Sequence, residues 1–182
     1  MSLPNQPINL DPEQIAAAAF LLRLSARPLI LAGRGVLEAE AGDELIRLAE
    51  TVGAPVLTTA GGRDAFPQSH PLAAGVVFGR PEAASLLVES DMVIAVGTSF
   101  SSLTDERKPD LPAQMIHVDI DPAPIGRVYP VRNGIVGDAK VALERILAEL
   151  DNAAPLKALA DARAAEAPAR AARAREAAPG SG

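Results

Sequence analysis

The chain predicts an α/β fold, a Rossmann-like three-layer sandwich around a central parallel sheet of about six strands. Two observations carry this. Short apolar runs of the fully buried kind, Leu29–Leu31 and, clearest of all, that within Asp91–Gly97, alternate with stretches whose apolar residues recur at helical spacing. Each passes into the next through a short turn rich in glycine, proline or aspartate. Strands alternating with helices in this way imply a parallel sheet covered on both faces by right-handed crossovers.

Taken in order, Asp11 supplies an N-cap, Pro12 the first helical position and Gln14 a capping-box partner. Ile15, Ala18, Ala19 and Leu22 follow at i, i+3, i+4 and i+7, so a helix is expected over 12–25. Pro28 ends it and opens the first strand, after which Gly33 to Leu37 turn the chain. Ala41, Leu45, Leu48 and Val52 mark the next helix, with Gly53 where a helix-terminating glycine belongs. Pro55–Thr58 is a second strand, followed by an irregular stretch with Gly61, Gly62 and two X-Pro turns. A helix near 81–89 leads into the strand Asp91–Gly97, and residues 98–112 form a polar loop. Gln114–Asp119 and the short Ile135-Val136 complete the strands. Asp138 then caps a helix carrying Leu143, Ile146, Leu147 and Leu150.

Three segments result: a tail at 1–10, an α/β domain at 11–151, and an Ala/Arg-rich stretch at 152–182. Alanine favours helix, but this last stretch has too few large apolar residues to build a core. It is expected to be a helical linker or frayed tail.

Hydrophobic residues at 48% and charged residues at 22% are those of a globular chain able to bury a core. A net charge of -6, aromatics at 3% and no tryptophan argue against nucleic acid, which needs cationic and stacking surfaces. Zero cysteines exclude disulfides, thiolate metal sites and a cysteine nucleophile. No apolar run approaches the roughly 20 residues of a membrane span, and no signal-peptide pattern opens the chain. A cytoplasmic location without membrane or nucleic-acid partners is the expectation.

Ligands of open α/β sheets bind beyond the carboxyl ends of the strands. Loops 33–37, 58–64, 97–103 and 119–126 lie there, with Gly137-Asp138 as a fifth position. Gly33-Arg34-Gly35 lacks Cβ atoms where an anion would approach, yet it is only Gly-x-Gly-x-x-Glu and serves equally as a tight turn. Asp119 and Asp121 would share a side of an extended strand, suiting ribose hydroxyls or a divalent cation; Pro122 points instead to Asp121 capping a turn. Thr58 and Thr59 either donate to a phosphate or cap a loop. Ser99, Ser101 and Ser102 lack the Gly-x-Ser-x-Gly setting of a nucleophile. Two histidines, His70 and His117, are too few for a histidine metal cluster.

The order of the segments is more informative than any one of them. It runs Pro28–Gly35, Gly53–Thr59, Phe66–Gly75, Ser90–Gly97, Ile116–Pro122 and Ile135–Asp138. In that order, over about residues 12–150, the chain resembles the central domain of thiamine diphosphate enzymes of the acetolactate synthase and benzoylformate decarboxylase type. The resemblance implies a parent with two further domains. One supplies the glutamate that activates thiamine diphosphate; the other holds the diphosphate and Mg²⁺ through Gly-Asp-Gly…Asn-Asn. This chain reads Gly137-Asp138-Ala139 with no Asn-Asn pair, so those sites are expected in the partner domains, within a homodimer or homotetramer. No catalytic residue is expected here.

In such enzymes the central domain holds FAD, an ADP-type nucleotide or nothing. Carried over by position, Gly33, Arg34, Gly35, Thr58, Thr59, Gly75, Gly97, Thr98, Ser99, Asp119, Ile120, Asp121, Gly137 and Asp138 would line its groove. Flavin-binding relatives read Gly-Ala-Arg-Phe-Asp-Asp-Arg where this chain has Gly97-Thr-Ser-Phe-Ser-Ser-Leu103. Both arginines are replaced, which lowers the expectation of FAD. Two other readings stay open: a free-standing module binding ADP, FAD or NAD, and a sugar-nucleotide transferase using Asp119 and Asp121.

Overall fold

The computed structural model describes residues 10–77, 81–101, 111, 114–154 and 156–176. Among them lie β1 (Pro28–Ala32), β2 (Val56–Thr58), β3 (Ala73–Val76), β4 (Met92–Val96), β5 (Gln114–Asp119) and β6 (Asn133–Val136). They form one parallel sheet in the order β3-β2-β1-β4-β5-β6. The helices are α1 (Pro12–Leu24), α2 (Arg34–Glu38), α3 (Gly42–Val52), α4 (Pro81–Glu89), α5 (Ala139–Asn152) and α6 (Lys157–Glu176), and a 3-10 turn spans Ala60–Ala65.

Every residue of β1 and of β4 is buried, which explains why these strands are apolar throughout rather than alternating. Side chains of a strand still point to opposite faces, and the sheet accordingly separates two cores. Ile30, Ile94, Val96, Ile116 and Val118 pack with Leu22, Leu48 and Leu143 from α1, α3 and α5. Leu29, Leu31, Leu57, Val93 and Met115 pack on the other side with Leu86 and Leu87 from α4 and Ala171 and Ala174 from α6.

Three features depart from what the sequence predicts. The turn expected from Gly33 to Leu37 contains the short helix α2. The irregular stretch after β2 contains an additional strand, β3, at one edge of the sheet. Residues 152–182, given no share of the core by their composition, contribute α6, which lies against β3 and α4. The polar loop expected at 98–112 falls mostly outside the described residues.

Alanine makes the packing of α6 possible, because a side chain of one carbon lets the helix approach the sheet closely. Ala167, Ala171 and Ala174 are buried. Arg163 and Arg170, two helical turns apart, are buried beside them and reach the sheet's amino-terminal edge. Arg163 Nη1 donates to Leu22 O (2.7 Å) and Ser25 O (3.2 Å), carbonyls left over where α1 ends. A cation at a helix C-terminus also suits the helix dipole. Arg170 donates to Pro28 O (3.2 Å) and Ser90 Oγ (3.0 Å). Burial lowers the pKa of both guanidinium groups from the ordinary arginine value, opposed by the charge of Asp91 at Arg163 and chiefly of Glu89 at Arg170.

Candidate functional site

The sheet order reverses between β1 and β4, so the turns that leave these neighbours run in opposite directions and open a crevice. A groove of about 490 Å³ occupies it, within the usual range of small-molecule sites. Of the residues singled out from the sequence, Arg34, Gly35, Thr59, Gly97, Thr98, Ser99, Asp119, Ile120 and Asp138 line this groove. Gly33, Thr58, Gly75, Asp121 and Gly137 are not among its lining. Glu38 and Phe100 line it without having been singled out. Glu38 escaped because it lies on α2, a helix the sequence pattern does not disclose.

The floor is a seam of glycine backbones. A Cβ built on Gly33 would stand 2.2 Å from Gly97 O, one on Gly35 would stand 2.6 Å from Gly97 Cα, and one on Gly62 would stand 2.6 Å from the carbonyl carbon of Gly33. Backbone hydrogen bonds fasten the seam: Gly33 N donates to Val96 O (2.9 Å) and Gly35 N to Gly97 O (2.9 Å). Glycine is therefore needed here so that the chain segments after β1, β2 and β4 can touch.

The polar groups around the floor also serve the backbone. Thr59 Oγ1 accepts from Gly62 N (3.2 Å), and Thr58 Oγ1 donates to Gly75 O (3.4 Å) at the edge of the sheet. Asp119 accepts from Asp121 N (3.0 Å), and Asp138 accepts from Val141 N (3.1 Å) as the N-cap of α5. Asp121 does not join Asp119. The chain bends after β5, Asp121 is exposed, and its carboxylate accepts from Ala123 N (2.9 Å), the turn-capping alternative.

His117, on β5 beneath the groove, holds the 97–101 loop. Its Nε2 lies 2.9 Å from Thr98 O, the geometry of a ring N–H donating to that carbonyl, and Phe100 packs edge-on against the ring at a centroid distance of 5.4 Å. Burial depresses the His117 pKa below the ordinary histidine value, although the Thr98 carbonyl and the nearby Asp119 both oppose this. A histidine kept neutral by the fold must take up a proton on unfolding once the pH lies below its unfolded value of 6.5. Its contribution to stability is complete above that value and declines as pH falls toward the depressed folded pKa. The slope it adds is at most about 1.4 kcal/mol per pH unit. Urea unfolding between pH 7 and 5 is expected to give a smaller pH slope for His117→Gln than for the parent chain. Equal slopes would mean that His117 titrates alike folded and unfolded.

Among the described residues, no three histidine, aspartate or glutamate side chains converge so as to hold a metal ion. These residues do not fit thiamine diphosphate with its Mg²⁺. No helix among the described residues is long and apolar enough to cross a membrane.

Residues 15–146 match the family described as "Thiamine pyrophosphate enzyme, central domain". The chain is 47% identical over 143 residues to a Methanocaldococcus jannaschii protein named "Probable acetolactate synthase large subunit", covering 76% of this chain and 24% of that protein. Among solved structures, a Mycobacterium smegmatis protein described as a "putative thiamin diphosphate-dependent enzyme" superposes with a TM-score of 0.69 at 28% identity, over 86% of this chain and 31% of that one. The benzoylformate decarboxylase of Polynucleobacter necessarius superposes with a TM-score of 0.68 at 22% identity, over 82% and 30%; that likeness is one of fold. The chain thus spans about a quarter of the length of the curated relatives it matches. With the segment order, the parallel sheet and the family match all in agreement, the chain belongs to the thiamine pyrophosphate enzyme family, as its central domain.

Proposed function

We propose that this domain is the structural centre of a thiamine diphosphate-dependent 2-oxo acid decarboxylase or carboligase, and that it is catalytically inert alone. The parent chemistry is cleavage or formation of a C–C bond, with the electron sink supplied by the cofactor. Thiamine diphosphate and Mg²⁺ would be held by an N-terminal and a C-terminal partner domain, in a homodimer or homotetramer. The observation that carries this is the character of the groove: its glycines floor a backbone seam, and Thr59, Asp119 and Asp138 are engaged in turns and caps. Among the described residues none is paired with a base or nucleophile in the arrangement that acid–base or covalent catalysis needs.

Titration calorimetry with thiamine diphosphate and Mg²⁺ is expected to detect no binding in the micromolar range. Micromolar binding would overturn the proposal, because the cofactor site would then lie within this chain.

A further inference from the structure

We propose that a second cleft, at the opposite end of the sheet from the groove, binds a phosphate group through Arg27, Arg170 and Arg173. The site stands apart from the groove and does not depend on the scaffold reading.

The cleft has a volume of about 420 Å³ and is lined by Arg27, Glu89, Glu166, Ala169, Arg170 and Arg173. Glu166, Ala169, Arg170 and Arg173 stand at i, i+3, i+4 and i+7 of α6, which brings them onto one face of that helix. Arg27 ends the turn from α1 into β1, and Glu89 is the last residue of α4. Pro28 opens β1 and Ser90 precedes β4, so the cleft sits at the amino-terminal ends of these neighbouring strands.

Arg170 is the residue that points to a ligand. It is only 5% exposed and lines the cleft, yet its Nε has no hydrogen-bond partner. The bonds from Nη1 to Pro28 O and from Nη2 to Ser90 Oγ hold the guanidinium plane in place. They leave the Nε–H a fixed donor without an acceptor. Leaving a buried donor of a charged group unpaired is costly, and an oxyanion is the acceptor that the edge of a guanidinium fits best.

The surrounding charges agree. Burial depresses the Arg170 pKa and the like charge of Arg27 adds to this, against Glu89, Asp91 and Glu166. Glu89 is drawn to Arg173 (3.8 Å), whereas Arg27 has no ion-pair partner among the described residues. The lining thus carries three cations against two carboxylates. A phosphate group between Arg27 and Arg170 offsets that excess, relieves their repulsion and gives Nε its acceptor. Glu166 is the group that opposes it.

The test is titration of the 182-residue chain with inorganic phosphate, chloride being adjusted to hold the ionic strength constant. The readout is the amide resonances together with the arginine Nε–H resonances. Saturable shifts at Arg27, Ala169 and Arg170 are expected in the millimolar range, with the Arg170 Nε–H moving downfield as it gains an acceptor. Arg27→Gln, at an exposed side chain, should weaken binding about fivefold, and Glu166→Gln should tighten it about threefold. Glycerol phosphate binding more tightly than the free ion at these same residues would support the site with an esterified phosphate as its occupant. Absence of saturation in that range would overturn the proposal. So would shifts confined to Gly35 and Gly97 in the groove, or binding that Arg27→Gln leaves unchanged.

Discussion

Deleting residues 153–182 is expected to leave a chain that no longer unfolds cooperatively, although every residue matched by the family, 15–146, is retained. The reason lies in the second core. On that side of the sheet, Leu31, Leu57 and Ala74 are closed over by α4, through Leu86 and Leu87, and by α6. Removing α6 returns part of this surface to water, at about 25 cal/mol per Å² of apolar area. It also strips Arg163 from the carbonyls at the end of α1 and Arg170 from Pro28 O and Ser90 Oγ. The combined loss is on the order of 5 kcal/mol, comparable to the whole stability of many domains. Thermal melts followed by near- and far-ultraviolet circular dichroism, with dye binding to exposed apolar surface, would register the change. A truncated chain melting within about 5 °C of the full one would show that α6 is an appendage after all.

That α6 belongs to the fold was not legible in the sequence, and the reason is physical. Periodicity is read from large apolar side chains, and α6 presents alanine and arginine to the sheet instead. β1 and β4 were legible because central parallel strands are apolar at every position. β3 was not: Ala73-Ala74-Gly75-Val76 is an edge strand of small residues whose last two are only partly buried. α2 is five residues long and starts from Gly33 without a side-chain cap, so neither length nor capping announces it.

The site divides the same way. Arg34, Gly35, Gly97, Thr98, Ser99 and Ile120, from the turns after β1, β4 and β5, are gathered at one groove, since the fold class alone places those turns together. Gly75 is not, because it sits on the outermost strand, two strands from the crevice. Gly33 packs against Gly97 and Thr58 bonds to Gly75 O, so both serve the backbone instead of the groove lining. Asp121 needed the bend after β5, which the alternation of an extended strand does not foretell.

The glycine seam yields the sharpest separation of causes, through alanine substitutions at Gly33, Gly75 and Gly97. Gly33 has φ of -105°, open to any residue, so Gly33→Ala tests packing alone. Its new methyl would meet the carbonyl of Gly97 at 2.2 Å, and that oxygen, already held by the hydrogen bond from Gly35 N, has little room to yield. A loss of about 3 kcal/mol or more is expected. Gly75 presents the opposite case: φ is +90°, yet nothing lies within 4 Å of an added Cβ. Gly75→Ala should therefore cost only the left-handed backbone penalty, roughly 1–2 kcal/mol. Gly97 combines both, with φ of +60° and a Cβ that would stand 2.6 Å from Gly35 Cα, so its loss should be the largest of the three, about 4 kcal/mol or more. Chemical denaturation of the three variants gives the ranking directly. If Gly33→Ala were as mild as Gly75→Ala, the segments after β1 and β4 would not be in backbone contact.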